Sequence, residues 1–132
     1  MCGILFTNKE NISKNKFINA LKTMEHRGPD VSGKYEELDK FKLGHNRLKI
    51  IDLDDRSNQP MFSKNKQLII IFNGEIYNFD EIKKLHSINT TTTSDTEVIL
   101  KLYEKLGYKF LKELNGMFAI IIYDKKNKTY FI

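Results

Sequence analysis

The rhythm of apolar and polar positions changes several times along the 132 residues, and each change marks an element. Gly3 to Thr7 is a short apolar run at the very start, the pattern of a buried strand that begins where the chain begins. Phe17, Ile18, Leu21 and Met24 recur at helical spacing. They predict an amphipathic helix over about 12 to 25, stopped by the turn-forming Arg27-Gly28-Pro29-Asp30. Strand-like stretches follow at 31–37 and 41–51. Gln67 to Phe72 is an unbroken Ile-rich run of the kind buried on both faces, read as ending abruptly at Asn73-Gly74.

Beyond that point, 80–87 reads as a short helix and 90–93 as a polar β-branched segment of no defined shape. Ser94-Asp95-Thr96-Glu97 has the form of a capping box, with Ser94 accepting from the amide three residues on and Glu97 reaching back. Val98, Ile99, Leu102 and Leu106 supply the apolar face of the following helix, which Gly107 closes. Residues 108–114 look helical, 117–123 form a buried strand, and 124–128 make a hairpin turn into a last strand at 129–132. The expectation is a single α+β domain with mostly antiparallel strands, without repeats or linkers.

Composition narrows the class. At 40% apolar and 30% charged residues the chain has neither the low hydrophobicity of a disordered protein nor an apolar run near the roughly 18 residues of a membrane span. A domain this long buries about 68% of the surface its unfolded chain exposes, enough for a core without disulfide or metal. The lone cysteine, Cys2, can form neither an internal bridge nor a Cys-rich zinc site. No basic n-region precedes the first apolar run, so a cytoplasmic protein without membrane contact is expected. The net charge of +5 raises nucleic acid as a partner. Against that, the lysines are spread along the whole chain and only Arg27, Arg47 and Arg56 carry the guanidinium favoured for phosphate and base contacts. No nucleic-acid partner is expected.

The candidate chemistry begins at Cys2. Once Met1 is removed, its thiol nucleophile and its own α-amino group, of pKa about 7.7 to 8.0, sit in one residue. The alternatives are an incidental cysteine, or a papain-like pairing with His26 or His45. Asn73 and Gly74 offer a side-chain amide and a backbone N–H, two donors of the kind an oxyanion requires, and the competing reading is a plain Asn-Gly hairpin turn. Arg47 brings a planar fork for a carboxylate into the apolar stretch 43–53, while Glu75 and Asp95 are anions for an ammonium or amide group. Each also has a structural reading: an ion pair for Arg47, a solvated turn for Glu75, the positive end of a helix for Asp95. Together they describe a site for an amino acid whose side-chain amide is cleaved.

The motifs Cys2-Gly3-Ile4, His26-Arg27-Gly28-Pro29-Asp30, His45-Asn46-Arg47-Leu48-Lys49-Ile50-Ile51-Asp52, Asn73-Gly74-Glu75-Ile76-Tyr77-Asn78 and Ser94-Asp95-Thr96-Glu97-Val98-Ile99 resemble those of class II glutamine amidotransferases. The resemblance is strongest to the glutaminase domain of glutamine-hydrolysing asparagine synthetases and covers essentially the whole chain. It implies the four-layer αββα N-terminal nucleophile hydrolase sandwich, with Cys2 as nucleophile and α-amino base and Asn73 and Gly74 as oxyanion hole. It further implies that Arg47, Ile50, Ile51, Asn73, Gly74, Glu75 and Asp95 bind L-glutamine. No metal or cofactor is implied for that step. ATP and magnesium are implied only for a synthetase domain that activates aspartate, which 132 residues leave no room for and which is expected in cis or in trans. The family's glutaminase half continues past Ile132, so a domain incomplete at its C-terminal end is expected, with a homodimer as a further expectation. The competing readings are delivery of ammonia to another carboxylate acceptor, and a non-catalytic truncated module that binds or assembles through an unpaired sheet edge.

Overall fold

Two strand runs, one starting at Phe41 and one ending near Asn73, are interior strands of two antiparallel sheets. The computed structural model describes residues 2–37 and 40–132. Met1, whose removal would expose the Cys2 amino group, lies outside the described residues. The elements run β1 (Gly3–Thr7), α1 (Lys14–Lys22), β2 (Val31–Glu37), β3 (Phe41–Arg47), β4 (Met61–Phe62), β5 (Leu68–Ile76), α2 (Phe79–Leu85), α3 (Asp95–Leu106), β6 (Gly116–Asp124) and β7 (Thr129–Phe131). Short 3-10 helices occupy Glu25–Arg27, Asp55–Ser57 and Gly107–Glu113. Strand order is β1-β3-β2 in one sheet and β4-β5-β6-β7 in the other, with every neighbouring pair antiparallel. The class is α+β, as the pattern predicts, and no helix of the described residues is long and apolar enough to cross a membrane.

The alternation of a strand divides the core in two. Ile69 and Ile71 of β5, with Ile121 and Tyr123 of β6, pack against Phe41 and Leu43 of β3, so these side chains fill the space between the sheets. The intervening Ile70, Phe72, Ile120 and Ile122 face the other way, onto Ile82 of α2 and Val98, Ile99, Leu102 and Tyr103 of α3. This explains the unbroken Ile run: β5 is covered on both faces. On the far face of β3, α1 lays its buried Phe17 and Leu21 over Gly44, where a Cβ would come within 2.9 to 3.2 Å of them.

Several boundaries differ from the sequence reading. The first helix covers only residues 14–22, capped by Ser13, whose side chain accepts from Lys16 N–H, and the chain then tightens into the 3-10 turn before Gly28. The strand expected over 41–51 ends at Arg47, where the following loop turns away to lie beside Cys2. Asn73-Gly74 is not a turn. Strand β5 continues to Ile76, with Asn73 and Gly74 opposite Ala119 and Phe118. A Cβ at Gly74 would collide with Met117 O and lie 2.6 Å from Phe118 Cα, so close approach of β6 is why glycine stands there. The capping box is also reassigned. Ser94 accepts from Thr96 N–H, and Glu97 turns instead to the amides and hydroxyls of Thr91 and Thr92. Gly107 closes α3 at φ +55°, as expected.

Candidate active site

Three rows of side chains between the sheets end at one place. The Ile4–Phe6 row of β1 leads back to Cys2, the Phe41–Leu43 row of β3 leads on to His45 and Arg47, and the Ile69–Ile71 row of β5 leads on to Asn73. The register sets Gly3 opposite Asn46 and Ile4 opposite His45, which brings Cys2 alongside Arg47 and Leu48. Residues 2, 47 and 73, far apart in the chain, are brought together by strand pairing and sheet packing.

Cys2 is half-buried. Its Sγ accepts from Leu48 N–H at 3.4 Å and lies 3.9 Å from Leu48 O, while its carbonyl accepts from Arg27 Nε at 3.0 Å. The Arg-Gly-Pro-Asp turn therefore does more than stop a helix. Arg27 braces the Cys2 main chain, Gly28 lets the turn press on Asn46 O, and Asp30 accepts from Lys49 N–H at 2.7 Å while its own N–H donates to Arg47 O. The histidines are engaged elsewhere. His26 is exposed with Nδ1 3.1 Å from Thr23 O, and fully buried His45 places Nε2 3.1 Å from Phe72 O. Burial, with the nearby Arg47 charge acting in the same sense, lowers the His45 pKa to about 4 in spite of its hydrogen bond, so the ring is neutral at pH 7.

The edge of β5 facing away from β6 is the second part of the site. Strand β4 reaches only Ile69 and Ile70. Past that point Phe72 N–H donates to Gln59 Oε1 at 2.6 Å, and Ile76 N–H donates to Asp95 Oδ2 at 3.1 Å. Gly74 lies between these two and shares their parity, so its main-chain groups point off the same edge. Asn73 points between the sheets, with Oδ1 buried and without a hydrogen-bond partner among the described residues.

Arg47 is buried, and its guanidinium stitches the loop that follows β3. Nη1 donates to Asp54 O at 3.0 Å and Asn58 Oδ1 at 2.7 Å, and Nη2 to Ile51 O at 3.4 Å and to Asp52 O. All four acceptors are uncharged. Among the described residues no carboxylate stands within ion-pair distance of Arg47, so a structural ion pair is not its role there. The loop is fastened on its other side by Asp52, whose Oδ1 accepts from Asp54 N–H at 2.9 Å and Oδ2 from Thr93 N–H at 2.7 Å. Burial would raise the Asp52 pKa, but these hydrogen bonds outweigh it and bring it down to about 2. Asp95, buried at the start of α3, is shifted the other way: burial raises its pKa, and Glu75 adds to the rise.

These parts enclose a cavity of about 130 Å³. Its wall includes Cys2, Arg47, Ile50, Ile51, Gly74, Glu75 and Asp95. Seven of the eight residues expected from sequence thus share one cavity, and Asn73, between Phe72 and Gly74 in β5, is not among those lining it. A cavity of about 150 Å³ accommodates a molecule the size of benzene, so this one is on the scale of a single amino-acid side chain. Sequence reading missed Leu48, Gln59 and Thr96, whose contributions are a main-chain N–H and two neutral hydrogen-bonding side chains. The Gln59-Pro60 pair beside the next apolar run was the available signal for Gln59.

A half-buried cysteine in the wall of a cavity on the scale of an amino-acid side chain, with an arginine outside any ion pair among the described residues and two acids beside it, accords with what comparison finds. The chain belongs to the family described as "Glutamine amidotransferase domain", whose family model matches residues 1–132. Among its relatives is a Methanocaldococcus jannaschii protein provisionally named asparagine synthetase [glutamine-hydrolyzing] 2, 40% identical over 99% of this chain and 29% of its own length. Asparagine synthetase [glutamine-hydrolyzing] 1 of Arabidopsis thaliana is 35% identical over 100% of this chain and 23% of its own. Asparagine synthetase [glutamine-hydrolyzing] 2 of Oryza sativa subsp. japonica is 38% identical over 98% and 22%. The chain spans less than a third of the length of these relatives.

Proposed function

We propose that this domain hydrolyses the side-chain amide of L-glutamine, with Cys2 as nucleophile once Met1 is removed. The observation that carries the reading is the single cavity holding Cys2 together with Arg47, Gly74, Glu75 and Asp95. The uncancelled charge of Arg47 attracts the substrate α-carboxylate, and Glu75 and Asp95 attract its ammonium. The main-chain groups of Ile50 and Ile51 line the bound amino acid. These contacts leave the amide end directed at Sγ.

The Cys2 α-amino group takes the thiol proton, and sulfur adds to the amide carbon. The oxyanion that forms meets the Gly74 N–H off the β5 edge and the Asn73 side-chain amide. Collapse breaks the C–N bond, and the ammonium of Cys2 returns its proton to the leaving nitrogen, releasing ammonia. Water then cleaves the γ-glutamyl thioester by the same route, giving glutamate and regenerating the thiol. No metal or cofactor enters these steps.

We further propose the N-terminal nucleophile hydrolase fold in its four-layer form, supported by α1 outside one sheet and α2 and α3 outside the other. The names of the relatives support an asparagine-synthetase role. In that role the ammonia passes to a synthetase domain, in cis or in trans, that uses ATP and magnesium to activate aspartate. A cytoplasmic location and a homodimer belong to the same proposal. The test is ammonia release from glutamine by the Met1-processed protein, compared with Cys2→Ala. The processed protein is expected to release ammonia at least about 10³-fold faster. Equal rates would remove Cys2 from the mechanism.

A further inference from the structure

Strand β5 has an edge problem just where the proposed oxyanion hole lies. On the edge facing away from β6, its main-chain groups from Phe72 onward extend past the two-residue β4, and among the described residues no strand pairs with them there. At Phe72 both edge groups are met by side chains: His45 Nε2 lies 3.1 Å from the carbonyl, and Gln59 Oε1 accepts from the N–H at 2.6 Å. The Nε2 that faces a carbonyl must carry the ring proton, which makes Nδ1 the unprotonated nitrogen. Both side chains are themselves held. His45 is fully buried in the row between the sheets. Gln59 donates from Nε2 to Thr96 Oγ1 at 3.3 Å, and the absence of a side chain at Gly33 lets β2 close against the Gln59 carbonyl.

Four residues further on, Ile76 N–H is anchored by Asp95. Gly74 lies midway between these anchors with no side chain of its own to pack, and glycine is the residue most free to change its backbone angles. A donor for an oxyanion must be held to within about 0.5 Å. We infer that His45 and Gln59 together replace an edge strand beside β5 and position the Gly74 N–H and the Asn73 amide for oxyanion binding. The two are positioning residues, and the inference rests on the glutaminase reading above.

The test compares His45→Leu and Gln59→Leu, which remove the edge partners, with His45→Gln and Gln59→Glu, which keep an N–H donor and a carboxyl acceptor respectively. Each Met1-processed variant is assayed for kcat and KM with glutamine, for thermal midpoint, for glutamate affinity, and for inhibition by the γ-aldehyde analogue of glutamine. The thiol adds across the aldehyde: a C–S bond forms, the C=O π bond breaks, and the thiol proton ends on oxygen. That oxygen occupies the oxyanion position, which glutamate binding does not require. The leucine variants are expected to lose about 10- to 100-fold in kcat and in aldehyde affinity together, with KM and glutamate affinity within about 3-fold of the parent protein. The conservative variants recover most of the loss. Leucine variants that keep kcat and aldehyde affinity within about 3-fold would overturn the inference. So would a kcat loss that tracks only the thermal midpoint and is equal in leucine and conservative variants. Where loss of the imidazole unfolds the chain, the Gln59 pair carries the same comparison. A parent protein no more active than Cys2→Ala is a distinct result, which overturns the glutaminase reading and the positioning role with it.

Discussion

At the scale of the residue, Gly74 is held to glycine from two sides. Off the β5 edge it offers an N–H to the cavity, and on the β6 side a Cβ would meet Met117 O and Phe118 Cα. Gly74→Ala is expected to cost on the order of 1 to 3 kcal/mol of stability and to depress ammonia release further than that loss explains, read by urea unfolding alongside the assay. His45 makes a pH-dependent contribution. Its folded pKa, about 4, lies below the unfolded value near 6.5, so between those pH values the unfolded chain binds the extra proton. Stability from neutral His45 is therefore full above about pH 6.5 and falls as the pH drops towards 4, by roughly 3 kcal/mol at most. Urea unfolding at pH 7 and pH 4.5 should show a smaller difference for His45→Gln than for the parent protein. Cys2, Arg47 and Asp95 were legible in the sequence because their chemistry is unusual for their positions. Leu48 was not, because it contributes only a backbone N–H.

At the scale of the element, the loop after β3 belongs to the site as much as any strand does. Arg47 fastens it from below, Asp52 ties it to Thr93 ahead of α3, and Lys49 N–H reaches Asp30. Asp52→Ala is expected to raise KM for glutamine about 10-fold through displacement of Ile50 and Ile51, beyond the fall in thermal midpoint that loss of its hydrogen bonds brings. A midpoint that falls while KM holds would make Asp52 a fold residue instead. Glu97 is the opposite case. Burial would raise its pKa, but hydrogen bonds from Thr92 and Thr91 and the contact with Lys101 outweigh burial and hold it at about 2. Its ionised form stabilises the fold above about pH 4.5, a contribution lost as the pH falls towards 2. Glu97→Ala should cost about 1 to 3 kcal/mol at pH 7, measured by denaturant unfolding, with the deficit shrinking in acid. The Ser-x-x-Glu spacing was visible in the sequence. Which amides Glu97 would serve depended on where the 91–93 segment packs.

At the scale of the whole molecule, β5 is the common wall of both cores, with odd residues towards β3 and even residues towards α3. The two cores should therefore unfold as one unit. Leu43→Ala between the sheets and Leu102→Ala beneath the helix are each expected to cost about 2 to 5 kcal/mol within one cooperative transition. Two separable transitions in calorimetry would show the sheets to be independent. A tie at the far end points the same way, since Tyr35 and Glu37 of β2 meet Lys125 of the β6–β7 turn. The sequence by itself determined the class, the order of most elements and the residues with chemistry to offer, because periodicity, capping and charge act over a few neighbouring positions. Tertiary structure alone decided that Asn73-Gly74 is strand and not turn, since pairing with Phe118 and Ala119, distant in the chain, sets that conformation. It also decided which hydrogen-bonding groups reach the cavity, because strand register and the packing of one sheet on another are properties of contacts distant in the chain.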